Sequence, residues 1–181
     1  MAGPGFDPNG AVRFDLKGGA ASDAGGGRVL LLPAAALESL DIEALFSIGA
    51  ELGRACGARV ASKLGGDAAV RSANLELVVT HIAGELAIAG FGSVHMERWG
   101  KAMVAVVGNP AIDNEAFCAS VIANAIGAAS GHDMAAALLG REGSTARYFI
   151  GGQGAAARVE TLVAEGKKHA EILTMLHGGS A

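Results

Sequence analysis

The chain has 181 residues and a formal net charge of −4, enough for one well-buried core and too little for two full domains. The acidic balance excludes the clustered basic surface on which phosphate-backbone binding depends; the one adjacent pair of cations, Lys167-Lys168, reads as a solvated helix face. Mean hydropathy is positive, +0.38. However, the longest charge-free helical stretch, residues 116–131, falls short of the roughly 20 apolar residues of a bilayer span and contains Ser120, Asn124 and Ser130, so no membrane span is expected.

Six Phe, one Tyr and one Trp stand against 28 glycines. Such a core is built from small side chains and takes its shape from close backbone contacts. The start of the chain is polar and rich in Gly and Pro, with no apolar run of the secretory type, and residues 1–10 are expected to form a disordered arm. Alternation in Ala11-Val12-Arg13-Phe14-Asp15-Leu16 predicts a half-buried strand. A Gly/Ala/Ser loop over 18–27 follows, then a short buried strand, Arg28-Val29-Leu30-Leu31-Leu32, ended by Pro33, which suits the first turn of a helix over 34–40.

Asp41 is the expected N-cap of a long helix running to Leu64 and closed by Gly65-Gly66. Within it Gly49, Gly53 and Gly57 recur every four residues on one face. Each costs the helix about 1 kcal/mol relative to Ala, so another element must pack closely there, either within the fold or across a dimer. A second long helix is predicted over 68–89, an antiparallel hairpin over 93–98 and 102–107, and a third long helix over 113–139. A strand over 146–150, a helix over 153–165 and a short helix over 168–176 complete the domain, with 177–181 as a tail. Strands, helices, hairpin, helix, strand and helix in that order indicate α+β rather than a βαβ wind.

Chemistry-bearing constellations are sparse. His81, His95, His132, His169 and His177 form no pair with one another or with cysteine at ligand spacing, so no metal site is expected. Cys56 and Cys118 sit in apolar helical patterns and read as buried, reduced thiols of a cytoplasmic protein. Cys118 has no evident base to make it a nucleophile. Gly151-Gly152-Gln153-Gly154 lacks the Walker lysine-serine pair and the spaced dinucleotide glycines, which leaves it a tight strand-to-helix turn. Glu85 is a single carboxylate in an apolar run and suggests no acid–base couple. No catalytic residue and no cofactor are expected.

Several markers then occur in a telling order. The run from Arg28 to Pro33 with Ala36-Leu37, Gly49 and Gly53, Gly90-Phe91-Gly92, Asn109-Pro110, Phe117-Cys118, the segment from Ile126 to Gly131, Leu139-Gly140-Arg141 and Ala164-Glu165-Gly166 together resemble 4-vinyl reductase-type domains. Those domains also serve as the sensory part of aromatic-responsive transcription activators, and their eukaryotic relatives are the core subunits of the TRAPP vesicle-tethering complex. The resemblance spans residues 11–176. It implies a single-domain, TRAPP-like α+β fold, with an antiparallel sheet of about four strands packed against long helices, and a homodimer with an apolar pocket between helices and sheet. Phe91, His95, Phe117 and Cys118 are its candidate lining, although each also suits plain core.

Departures from the family matter equally. The cysteine-rich loop of metal-binding members is replaced by Arg141-Glu142-Gly143-Ser144-Thr145, and a lone Cys118 cannot fill a closed zinc site. Gly65-Gly66-Asp67 stands where the acylated TRAPP subunit carries its cysteine. The main expectation is therefore a stand-alone, non-enzymatic homodimeric scaffold that recruits a protein partner. The alternative is a sensor or carrier of a small hydrophobic ligand, whether aromatic, acyl or tetrapyrrole-like. A reductase-type enzyme ranks third, because no nicotinamide or flavin fingerprint supports it.

Overall fold

The computed structural model describes residues 8–9 and 11–178. Helix α1, Ile42–Leu64, begins and ends where its sequence signals stand. Asp41 takes extended backbone and its carboxylate accepts from the Ala44 N–H at 2.8 Å, while Gly65 closes the helix at φ 94°. Helix α4, Glu115–Ser130, is capped in the same way by Asn114, which accepts from the Phe117 N–H at 2.9 Å, and it ends at Gly131 with φ 68°.

These two helices make the closest crossing in the fold, and the glycine face lies between them. A Cβ placed on Gly49 would sit 2.9 Å from the Phe117 carbonyl oxygen, one on Gly53 2.3 Å from that of Val121, and one on Gly57 2.2 Å from that of Ala125. Both helices therefore step by four residues along the seam, each glycine admitting one carbonyl of the facing helix. The close contact is made inside the subunit. Ser120 Oγ, donating to the Phe46 carbonyl at 2.8 Å, and Arg54, donating to Asn124 Oδ1 at 3.1 Å, fasten its flanks.

Helices α2, Asp67–Ser72, and α3, Leu75–Ile88, follow α1. The sheet comprises β4 (Ser93–Trp99), β5 (Ala102–Gly108), β6 (Ala135–Glu142) and β7 (Thr145–Gly151), in the order β4-β5-β7-β6 with every pair antiparallel. One face carries α1, α3 and α4 over a core that includes Ala105, Val107, Tyr148 and Ile150. The other carries α5, Gln153–Ala164, and α6, His169–Gly178, over Val104, Ala137 and Phe149. This is the expected α+β arrangement of a four-stranded antiparallel sheet against long helices.

The glycines around Phe91 have a definite task. Gly90 (φ 75°) and Gly92 (φ 133°) hold backbone conformations that L side chains resist. A Cβ on Gly92 would also lie 2.9 Å from the carbonyl oxygens of both Gly108 and Asn109. The glycines that open the hairpin and the Asn109-Pro110 step that ends it are thus packed against each other, and the Ala111 N–H donates to the Phe91 carbonyl at 3.0 Å.

Five expectations need correction. The third long helix does not continue to 139. It stops at Ser130, the chain doubles back so that the His132 carbonyl lies over Gly127, and residues 135–142 form β6. The Ala/Leu composition of that segment favours helix, and pairing with β7 overrides it. The second long helix is broken at Ala73-Asn74, where Asn74 caps α3 by accepting from the Glu76 N–H at 2.9 Å.

The loop over 18–27 contains β2 (Ala20–Asp23), which pairs with β1 (Val12–Asp15) and β3 (Arg28–Val29) in a separate three-stranded sheet. The buried strand over 28–32 is not buried: only Arg28 and Val29 pair, and Leu30, Leu31 and Leu32 are 80%, 64% and 55% exposed. The helix over 34–40 shrinks to a single 3-10 turn, Ala34–Ala36. Most of the arm expected over 1–10 lies outside the described residues, as do residues 179–181 of the expected tail, and α6 extends to Gly178.

Candidate functional site

Of the four candidate lining residues, three come together. Phe91, Phe117 and Cys118 are buried in one cluster, and the two phenyl rings meet in a tilted arrangement with centroids 6.0 Å apart. His95 does not join them. Strand alternation turns Val94 and Met96 toward that core, which sends His95 to the other face of β4. There its side chain is 62% exposed and 3.7 Å from Glu97. The polar tip expected to orient a ligand among the phenylalanines is therefore absent from that cluster.

A residue missed in the sequence takes that place. Tyr148 on β7 is fully buried beside Cys118, and among the described residues its hydroxyl has no hydrogen-bond partner beyond what the weakly bonding Cys118 thiol offers. The thiol itself faces the Ile112 carbonyl, 3.7 Å away. Tyr148 lines a cleft of about 340 Å³ between α4, β6, β7 and α5, with Ala116, Ala119, Ala136 and Leu138 among its walls and Glu115 and Glu160 as the acidic residues lining it. The cleft exists because alanines stand where α4 and α5 flank the β6 edge. A lone tyrosine inside Ala146-Arg147-Tyr148-Phe149-Ile150 gives no sign in the sequence that its hydroxyl will be stranded. The one available signal is alternation, which turns Tyr148 to the α4 side and Phe149 to the α5 side.

Burial controls the protonation of this centre. Desolvation pushes the Cys118 thiol up to about 11 and Cys56 likewise to about 11, and it raises the Tyr148 phenol above its ordinary value. All three are neutral near pH 7, and neither thiol is poised as a nucleophile. Since each thiol is raised above its unfolded value of about 8.5, the stability linked to the neutral form is complete below that pH. It is lost as pH rises through about 11. Denaturant titrations should show stability declining over that alkaline window, by at most about 3 kcal/mol per thiol. Both thiols of the native protein should stay unlabelled by a thiol-specific reagent at about pH 8. Rapid labelling of either one in the native protein contradicts the assignment.

Among the described residues, no group of three or more His, Cys, Asp or Glu is placed to hold a metal ion. No helix of the described residues is long and apolar enough to cross a membrane.

Helices on both faces of a four-stranded antiparallel sheet, with a cleft at the β6 edge, define an α+β domain. No protein-family model matches the chain, and no curated protein matches it in sequence. Among solved structures, the crystal structure of the phenol-responsive sensory domain of the transcription activator PoxR with phenol is similar to it. The TM-score is 0.58 at 16% identity, covering 85% of this chain and 90% of that one. At this identity the similarity establishes the fold.

Proposed function

We propose that this protein is a non-enzymatic sensor or carrier that binds a small, largely apolar molecule with one hydrogen-bonding group in the cleft beside Tyr148. The observation that carries the reading is that Tyr148, whose buried hydroxyl has no hydrogen-bond partner among the described residues, borders this cleft. A buried hydroxyl without a good partner costs roughly 1–3 kcal/mol, and a ligand that bonds to it recovers that cost on binding. Alanine, leucine and valine walls with few polar groups, Tyr148 and the carboxylates of Glu115 and Glu160, suit an aromatic alcohol or a molecule of similar size, whose hydroxyl can donate as well as accept. The fold of a phenol-responsive sensory domain supports this choice over a vacant scaffold. The marker residues running from Arg28 to Gly166 support placing the chain with 4-vinyl reductase-type and TRAPP-like domains, in the cytoplasm.

A second observation favours assembly with another protein surface. Phe14, Leu16, Leu30, Leu31 and Leu32 on the N-terminal sheet segment, with Ile42 and Phe46 of α1, are all more than half exposed. The five on the N-terminal segment supply part of the about 800 Å² per partner buried in a stable complex. A homodimer through this face is the assembly we infer, and a scaffold role toward a different partner would use the same surface.

The test of the ligand reading is calorimetric titration with phenol and toluene. Phenol should bind more tightly than toluene. Tyr148→Phe should remove that preference, weakening phenol about tenfold while leaving the fold intact. Ala119→Phe, which fills the cleft, should abolish binding of both. Phenol binding unchanged in both variants, or no binding to the parent protein, overturns the proposal. Native mass spectrometry of the purified chain reads the dimer and any co-purified molecule directly.

A further inference from the structure

We propose that the pocket beneath the N-terminal sheet is a second binding site, which takes a small amphipathic carboxylate in exchange for Asp23 on Arg59. The pocket, about 230 Å³, lies between the three-stranded sheet and the outer faces of α1 and α3. Val12, Val29 and Leu31 form its roof, and Leu52 and Ile88 its floor. Arg59, Glu85 and Asp23 are the charged groups in its wall.

The charges in that wall define the ligand. Glu85 is buried, with its side chain 4% exposed, and both of its oxygens are engaged. Oε2 accepts from Arg59 Nε at 2.7 Å and Oε1 accepts from Lys63 Nζ at 2.6 Å. Arg59 and Lys63 thus both donate to this buried carboxylate. Arg59 has a second carboxylate beside it, Asp23 Oδ2, 3.4 Å from Nη1 and the longest of the three ion pairs. The other Asp23 oxygen accepts from the Gly27 N–H at 2.8 Å and belongs to the β2–β3 turn. Burial alone would lower the Arg59 pKa, but the Glu85 hydrogen bond and the surrounding carboxylates raise it, so the site stays cationic.

Asp23 is also the exchangeable member mechanically. The strands of the small sheet contact one another more than they contact the helices, and the Asp23–Arg59 ion pair is one link between the two. A ligand carboxylate in that position would keep the charge balance, form a bidentate pair with the guanidinium and lay its apolar part against Leu52, Ile88 and Leu31. Binding would therefore loosen the sheet from the helices, so that an acid bound here changes the presentation of Leu30, Leu31 and Leu32. The site is separate from the Tyr148 cleft, and it stands or falls independently of that reading.

Calorimetric titration of the full chain with hexanoate and benzoate, against hexanol and benzyl alcohol, tests the inference. At least one acid should bind, and its alcohol should bind at least tenfold more weakly. Asp23→Asn, which keeps an acceptor for the Gly27 N–H but removes the competing charge, should tighten the acid about tenfold and leave the alcohol unchanged. Tyr148→Phe should leave the acid unaffected, and bound acid should speed amide exchange in residues 20–23. Preference for hexanoate assigns an acyl ligand, and preference for benzoate an aryl one. Acids that bind no better than alcohols, no acid binding, or Asp23→Asn leaving acid affinity the same or weaker overturns the inference.

Discussion

Gly53→Ala is expected to destabilise the protein by about 2–3 kcal/mol, although alanine is worth about 1 kcal/mol more than glycine inside a helix. The added Cβ would lie 2.3 Å from the Val121 carbonyl oxygen, 2.9 Å from Asn124 Cβ and 3.0 Å from the Ala125 nitrogen. Two of those three atoms are backbone, so no side chain can swing aside and the whole α1–α4 crossing must open. Gly57→Ala meets the Ala125 carbonyl at 2.2 Å and should behave alike, whereas Gly53→Leu should prevent folding. Gly154→Ala is the control, because nothing lies within 4 Å of its Cβ position in α5. It should be neutral or stabilising by up to about 1 kcal/mol. Urea denaturation of the three alanine variants measures all of these effects. Equal stability of Gly53→Ala and the parent protein would refute the carbonyl-into-glycine account of the crossing.

The glycine face also shows where legibility began and ended. Spacing of four residues announced a close contact, because three glycines in one helix are too costly without one. Whether the facing element belonged to the same subunit was a tertiary fact, decided by α4 lying in the trough. Capping signals at Asp41 and Gly65 were equally legible, being local chemistry of side chain and backbone. The segment from Ala135 to Leu139 was not, since its composition is that of a helix and only cross-strand pairing with Phe149 and Ile150 makes it β6. Leu30-Leu31-Leu32 misled for the opposite reason. An apolar run with β character reads as a buried strand, yet nothing in the described chain covers it.

At the candidate site, Phe91, Phe117 and Cys118 came from the ordered markers of the family resemblance, and the structure places them together in the core rather than in the wall of the cleft. Tyr148 was missed, because what distinguishes it is a hydroxyl left without a good partner, and partners are set by the fold alone. His95 failed through alternation: it shares its face of β4 with Glu97 and Trp99, whose indole N–H donates to Glu97 at 2.9 Å.

Glu85 was legible only as an isolated carboxylate in an apolar helix, and the structure makes it the hub of an ion network. Glu85→Leu should cost about 3 kcal/mol, the low end for breaking a buried pair, because it takes the short Glu85 pair from the half-buried Arg59 guanidinium and leaves it the longer one to Asp23. The Arg59 and Lys63 side chains are 22% and 33% exposed, so the lysine can turn to solvent but the arginine cannot do so without leaving Cys56 Sγ, 3.3 Å from its Nη2. The sign of the double variant distinguishes this from simple loss of packing. If the penalty is an uncompensated charge, Glu85→Leu combined with Arg59→Met should be more stable than Glu85→Leu alone, since buried pairs are often replaceable by apolar residues at little cost. If the penalty is lost packing around α3, the second substitution should add to the first. Thermal and urea denaturation of the two single variants and the double variant complete the cycle, and an additive result would remove the network from the account of stability.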